Sequence, residues 1–326
     1  MVPAMFRRGT LLAGGACALL LLVLAGCGGG GEDEPSAESG ATRLTVQETA
    51  GVPSAFVAFG IEKGFFADQG LDVELQTTQG GAATIPALAS GEIEVGGSNI
   101  ASLLLATSKG LPVRAIAGGT AARGAGEKDF AALLAAKGKG VASAEDLEGR
   151  TIAVNTLHNI AEVGVKASLE KHGVDPDSIR LTEVPFPEMG EALAGGAVDA
   201  ALTIEPFATE SAQQGRKVLA YSYVDAEPGL QVGAYAVTEQ FAESFPDAVE
   251  AFRAAIGETA DHVASEPDEF RAFLSDTADV PPELARAIVL PDWTGEVDAA
   301  SVTATAKLMR RYGLVDRPID TGPLLP

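Results

Sequence analysis

Short runs of alternating apolar and polar residues begin at Leu44, and segments of helical spacing that end near a glycine separate them. The first part of this pattern predicts strands at 44–47, 71–76, 93–96 and 113–117, with helices at 54–63, 84–90 and 100–109 between them. Strands that alternate with helices favour a parallel sheet covered by helices.

The same order then starts again. The second part predicts strands at 151–154, 179–184 and 200–204, with helices at 161–172 and 188–194. The sequence ALASGEIEV at 87–95 resembles ALAGGAVDA at 192–200. This likeness indicates either two lobes of the same plan or a coincidence between two similar loops. After Tyr235 the chain is predicted to be helical, at 248–264, 267–275, 282–288 and 298–312, with Trp293 as a packing anchor. The predicted fold is α/β and two-lobed, with mostly parallel sheets and a helical C-terminal segment.

The apolar run from Leu11 to Leu24 differs from the rest of the chain. It follows Arg7 and Arg8 and ends in Leu-Ala-Gly-Cys at 24–27. A basic start, a short apolar core and small residues at the cut are typical of an export signal, and the cysteine predicts lipidation at Cys27. The alternative is an ordinary signal with an incidental cysteine. We expect a signal at 1–26, a flexible tether at 27–42 and an extracytoplasmic, lipid-anchored protein.

Composition narrows the function classes. The chain has 326 residues and a net charge of −22, which disfavours nucleic acid as a partner. Its only cysteines are Cys17 and Cys27, so no thiol nucleophile is expected after export. The three histidines show no metal spacing, and no nucleophile elbow or phosphate-binding loop is present. We therefore expect no enzyme activity, no cofactor and no metal.

Candidate binding chemistry lies after the predicted strands, where small polar residues precede helices. Ligands in open parallel sheets bind beyond the carboxyl ends of strands, and helix starts offer free N–H groups. Ordinary helix capping is the alternative for each residue. Glu205, in the stretch that ends at Phe207, either favours an amine or has a structural role before a helix that Pro206 starts. The predicted ligand-binding residues are Ser54, Gly80, Gly81, Ser98, Asn99, Asn155, Thr156, His158, Glu205 and Phe207.

Several segments together resemble one known family. They are 59–74 (FGIEKGFFADQGLDVE), 80–98 (GGAATIPALASGEIEVGGS), 145–155 (EDLEGRTIAVN), 198–207 (VDAALTIEPF) and 312–320 (YGLVDRPID). The chain is similar over 43–326 to periplasmic substrate-binding proteins of ABC transporters, of the sulfonate/nitrate/taurine and thiamine-precursor type (NMT1/THI5-like, SsuA-like). Many relatives place an aromatic residue in the first loop, whereas this chain has TAGVPS at 49–54.

The resemblance implies a first lobe at 43–137 and 231–326 and a second lobe at 138–230, joined by a hinge. It implies a monomer that captures a small polar organic or anionic solute by lobe closure and delivers it to an ABC permease with its ATPase. It also implies that the loops at Gly80-Gly81, Ser98-Asn99, Asn155-Thr156 and 205–207 hold the ligand. The alternatives are an enzyme on the same fold, such as a pyrimidine-precursor synthase or a quinone-pathway lyase, and a sensing lobe for a membrane receptor. The export signal disfavours those enzymes because their metabolites are cytosolic.

Overall fold

The computed structural model describes residues 40–277 and 280–326. The predicted export signal, the lipidation site Cys27 and the tether up to residue 39 lie outside the described residues. No helix in the described ranges is both long and apolar enough to cross a membrane.

Strands and helices alternate along most of the chain. The strands are β1 (Thr42–Thr49), β2 (Leu71–Thr78), β3 (Val95–Asn99), β4 (Val113–Gly118), β5 (Thr120–Ala121), β6 (Ala131–Ala135), β7 (Thr151–Val154), β8 (Arg180–Glu183), β9 (Ala200–Ile204), β10 (Val218–Ala220), β11 (Gly233–Thr238) and β12 (Asp292–Trp293). The helices are α1 (Val52–Glu62), α2 (Phe65–Asp68), α3 (Gly81–Ser90), α4 (Ile100–Ser108), α5 (Ile160–Lys171), α6 (Met189–Ala194), α7 (Phe207–Gln213), α8 (Ser222–Ala226), α9 (Glu239–Ser244), α10 (Pro246–Ser265), α11 (Pro267–Thr277), α12 (Pro282–Ala287) and α13 (Ala299–Arg311).

The first large sheet has the strand order β2-β1-β3-β11-β4. Strands β1, β2 and β3 are parallel, while β11 runs antiparallel to both of its neighbours. The sequence pattern predicted helices after Tyr235 and no strand at 233–238. This prediction is wrong, because β11 occupies these residues. The physical reason is burial on both faces: residues 234–237 are all buried, so the strand lacks the alternation that marks a half-exposed one.

The second large sheet has the order β10-β6-β9-β7-β8. Strands β7, β8 and β9 are parallel, and β6 is antiparallel to β9 and β10. Each sheet thus contains one antiparallel strand, and the predicted class of mostly parallel sheets flanked by helices is confirmed. Strand β6 falls inside the segment 43–137 that the resemblance gives to the first lobe, yet it pairs in the second sheet. Strands β5 and β12 form a separate two-stranded sheet.

Two hydrophobic cores support the sheets. Helices α1, α2, α10 and α11 bury aromatic rings against the first sheet, including Phe59, Phe66, Phe252 and Phe270. Full burial of each such ring contributes about 1.5–3 kcal/mol. The other core fills the second sheet and continues to α4 and α13. There Lys166 on α5 donates to the carbonyl of Tyr312 at 3.0 Å, directly after α13, so the C-terminal helix contacts both halves of the molecule.

Candidate functional site

A cavity of about 60 Å³ lies where the carboxyl ends of the two large sheets meet. A cavity needs roughly 10–15 Å³ to admit one water, so this space admits water or part of a small solute. The first sheet and its loops contribute Glu48, Thr49, Ser98, Asn99, Gly119 and Thr120. The second sheet and its loops contribute Phe130, Asn155, Asn159, Ile160, Phe186, Ile204 and Tyr223. Four of the ten predicted ligand-binding residues therefore line one cavity: Gly81, Ser98, Asn99 and Asn155.

Three helices start at this cavity. Helix α3 begins at Gly81, α4 follows Asn99, and α5 follows Asn159. The first amides of a helix have no partner within it, and its N-terminal end carries partial positive charge. The cavity is therefore edged by N–H donors that belong to the backbone.

The two asparagines also cap their helices. The Asn99 side-chain oxygen accepts from the Ser102 amide at 2.9 Å, and the Asn159 oxygen accepts from the Ala161 amide at 2.9 Å. The Asn159 amide nitrogen then donates to the oxygen of Asn155 at 3.1 Å. Helix capping thus accounts for the position of the Asn99 side-chain oxygen. Asn159, in addition to its cap, orients the cavity residue Asn155.

Glycines let the elements approach closely at the cavity edge. A Cβ atom at Gly81 would lie 2.6 Å from the Cα of Ser98, whose hydroxyl donates to the Gly81 carbonyl at 2.8 Å. A Cβ atom at Gly80 would overlap the side-chain nitrogen of Asn155, and it would lie 3.5 Å from the Thr156 hydroxyl. Gly80 and Thr156 therefore lie side by side at the rim, where the two halves of the molecule touch.

Three other predicted residues lie outside this cavity. Ser54 and Phe207 line a separate, larger space of about 350 Å³ between α1, α7 and α11. His158 has a positive φ of 57° and a side chain that is 69% exposed, and it lines a shallow surface pocket with Glu162 and Lys166. The structure therefore places Ser54, His158 and Phe207 apart from the four predicted residues that line the cavity between the sheets.

Glu205 is buried, and its carboxylate is already bonded to the protein. It accepts from the Thr209 amide at 3.0 Å, from the Thr209 hydroxyl at 2.6 Å and from the Val289 amide at 3.0 Å. Burial raises its pKa to about 7. Of the two roles predicted for Glu205, this geometry favours the structural one, because both oxygens accept hydrogen bonds from the protein and Oε1 also joins the distant Val289 amide.

Glu48 is the cavity residue that the sequence prediction missed. It is buried at the end of β1, and its Oε1 accepts from the Thr49 amide at 2.6 Å. Burial raises its pKa to about 7. The signal was present in the sequence: Leu44, Val46 and Glu48 share one face of the strand, so the apolar alternation ends in a carboxylate that faces inward.

Aromatic rings reach the cavity from positions outside the first loop. Phe130, Phe186, Tyr223 and Trp293 line it, although residues 49–54 contain no aromatic residue. Trp293, predicted as a packing anchor, stacks on Phe56 with ring centroids 3.9 Å apart and also borders the cavity. The cavity therefore combines flat apolar walls with a carboxylate and helix starts. In the part of the chain that the structure describes, no three metal-binding side chains converge.

The chain matches one family model and two solute-binding proteins of known name. The NMT1/THI5-like family model matches residues 53–270. The chain is 27% identical over 220 residues to the taurine-binding periplasmic protein of Escherichia coli K12, covering 66% of this chain and 64% of that protein. It is 30% identical over 152 residues to the formylaminopyrimidine-binding protein of Halalkalibacterium halodurans, covering 44% and 42%. The chain thus spans less than two thirds of the length of either relative.

A solved structure shares the fold over nearly the whole molecule. The alkanesulfonate-binding protein from Xanthomonas axonopodis pv. citri, bound to MOPS, superimposes with a TM-score of 0.75. The match covers 89% of this chain and 99% of that protein at 17% sequence identity. At this identity the likeness shows the fold alone.

Proposed function

Because the chain belongs to the NMT1/THI5-like family, we propose that it is an extracytoplasmic substrate-binding protein that captures a small polar solute and delivers it to an ABC permease and its ATPase. The observation that carries the proposal is the cavity that the carboxyl ends of both sheets enclose. Ligands bind at this edge of open α/β sheets. The taurine-binding and formylaminopyrimidine-binding relatives are binding proteins by name, which supports capture over catalysis.

The two sheets supply the two lobes of this proposal. Strand membership supports a first crossover between β5 and β6, ahead of the boundary expected at 137/138. It supports a return between β10 and β11, the interval that contains the boundary expected at 230/231. Contacts that join the lobes lie near the cavity: the Val52 amide donates to the Glu205 carbonyl at 3.2 Å. A solute held by both lobes stabilises the closed arrangement over an open one.

Thermal denaturation with a broad solute panel tests the capture of a solute. The panel contains sulfonates, nitrate and other oxyanions, aminopyrimidines and small amines. A solute at 100 times its Kd adds about 2.7 kcal/mol to the free energy of unfolding. At about 2 °C per kcal/mol for a domain of this size, Tm should rise by about 5 °C. If no solute in the panel shifts Tm, the proposed function is wrong.

A second measurement separates capture from catalysis. The solute that shifts Tm is incubated with the protein and followed by NMR. We expect the solute to remain chemically unchanged after days with a stoichiometric amount of protein, since a transport protein releases what it bound. The appearance of a product would favour an enzyme on this fold.

A further inference from the structure

Among the residues that the structure describes, Glu48 is the one charged side chain that lines the central cavity, and its carboxylate accepts few hydrogen bonds. Its Oε1 accepts one hydrogen bond, from the Thr49 amide. An ionised carboxylate offers about four acceptor positions. Glu205, equally buried, accepts three hydrogen bonds from the protein. Glu48 therefore keeps acceptor capacity that Glu205 has used.

The surroundings of Glu48 provide no cation. None of the residues that line the cavity is Lys, Arg or His, and no salt bridge to Glu48 occurs in the described ranges. The one titratable side chain that affects its pKa within those ranges is Tyr235, whose buried hydroxyl lies beside it without a hydrogen bond of normal geometry. A buried carboxylate without a cation is costly, and a bound donor offsets that cost.

The backbone beside Glu48 makes room for the carboxylate. A Cβ atom at Gly97, on the neighbouring strand β3, would overlap Oε2 of Glu48. The carboxylate is thus held against the first sheet, at the wall of a cavity that the aromatic rings of Tyr223 and Trp293 also line. Such a wall suits a flat or compact group that brings its own N–H donors.

We propose that Glu48 is a specificity-determining residue that binds the amine or amidine-type N–H group of the solute, so that the cavity selects amino-bearing solutes over oxyanions that lack a donor. The inference rests on the proposed function and deepens it, since it names the solute class of the same cavity. The first residues of α3 and α5, with their backbone amides, lie at the same cavity. An acceptor elsewhere on the solute can bind them, so an amino group and an oxyanion on one solute are compatible.

Two matched pairs of probes test this selection: taurine against ethanesulfonate, and 4-aminopyrimidine against pyrimidine. The members of each pair differ by the amino group. Titration calorimetry at pH 8, where Glu48 is ionised, compares the wild type with Glu48→Gln and with Glu62→Gln. Glu62 is exposed on α1, so the second variant removes the same charge away from the cavity. Thermal denaturation without probe shows whether each variant is folded.

We expect the amino-bearing member of at least one pair to bind about 10- to 100-fold more tightly to the wild type, as a charge-assisted hydrogen bond predicts. Glu48→Gln should abolish this preference, and Glu62→Gln should keep it. If Glu48→Gln does not fold, Glu48→Asp, which retains the charge with a shorter reach, should weaken the preference.

Two results overturn the inference while solute capture stands. One is tight binding of ethanesulfonate or nitrate with no gain from an amino group. The other is a preference for the amino group that persists in Glu48→Gln. If none of the four probes binds the wild type, the inference is also overturned. Thermal denaturation with the broad solute panel then decides whether the proposed function stands.

Discussion

Two buried glutamates of this chain look alike in sequence but differ in what surrounds them. Glu205 directly follows a strand and was predicted as a ligand-binding residue, yet its oxygens accept hydrogen bonds from Thr209 and Val289. Glu48 continues the inward-facing side of a strand and lines the cavity. Which carboxylate faces a ligand depends on partners that are more than 80 residues away for Glu205. Local sequence could not supply that information, although the strand alternation could have indicated Glu48.

The pKa values of buried carboxylates predict an unusual dependence of stability on pH. Burial raises the pKa of Glu48, Asp129 and Glu205 to about 7. Between their unfolded pKa values, near 4, and 7 the folded state binds more protons than the unfolded state, so stability falls as pH rises. We expect the free energy of unfolding to decrease from pH 5 to pH 7 and to level off above, by roughly 1.4 kcal/mol per group for each unit of pKa shift.

Urea denaturation at pH 5, 6, 7 and 8 measures this effect. Reduced repulsion among the many surface carboxylates acts in the same direction, so Asp129→Asn provides the control. Asp129 is buried, and its Oδ2 has no hydrogen-bond partner among the described residues. The variant should flatten the slope. A slope that is unchanged in Asp129→Asn, or a stability that rises from pH 5 to pH 7, contradicts the prediction.

Close packing at Gly97 gives a second prediction for a single residue. Gly97→Ala places a methyl group where the Glu48 carboxylate lies, so the free energy of unfolding should fall by about 1–3 kcal/mol. Solute affinity should fall as well, because the carboxylate must move. Gly257→Ala is the matched control: it lies inside α10 with open space around the added atom, and it should stabilise by about 0.5–1 kcal/mol. Equal stability of Gly97→Ala and the wild type would contradict the packing argument.

At the scale of elements, the long helices and seven strands (β1–β4 and β7–β9) were predictable, whereas β5, β6, β10, β11 and β12 were not. Strands β6 and β11 are buried along nearly their whole length, and β10 has three residues, so none shows a clear alternation. The antiparallel insertion of β11 between β3 and β4 depends on pairing over more than 100 residues. Helix ends were better predicted, because capping residues and glycines mark them locally.

The cap of α5 connects element stability to the cavity. Asn159→Ala removes the acceptor of the Ala161 amide and the donor to Asn155, so the free energy of unfolding should fall by about 0.5–2 kcal/mol, and solute affinity should also fall. Thr238→Ala removes a comparable cap from α9, because the Thr238 hydroxyl accepts a hydrogen bond from the Phe241 amide. Neither residue lines the cavity. We expect a similar loss of stability without a change in affinity. Calorimetry and urea denaturation distinguish the two variants, and an unchanged affinity in Asn159→Ala refutes the positioning role.

At the scale of the whole molecule, the sequence predicts a lipid anchor at Cys27, outside the described residues. We propose that Cys27 carries lipid and holds the protein outside the cytoplasmic membrane, on the strength of the Leu-Ala-Gly-Cys motif alone. Cys27→Ala in the full chain should move the protein from the membrane fraction to the soluble fraction after fractionation of cells. Solute affinity should be unchanged. A variant that remains in the membrane fraction contradicts lipid anchoring at this residue.

The central claim is that the space between the two sheets, and not the larger cavity beside α1 and α7, holds the solute. A crystal structure with the solute that gives the largest rise in Tm tests this most directly. We expect density for the solute between Glu48 and Asn155, close to the starts of α3 and α5. Density beside Ser54 and Phe207 instead, with the central space empty, would contradict it.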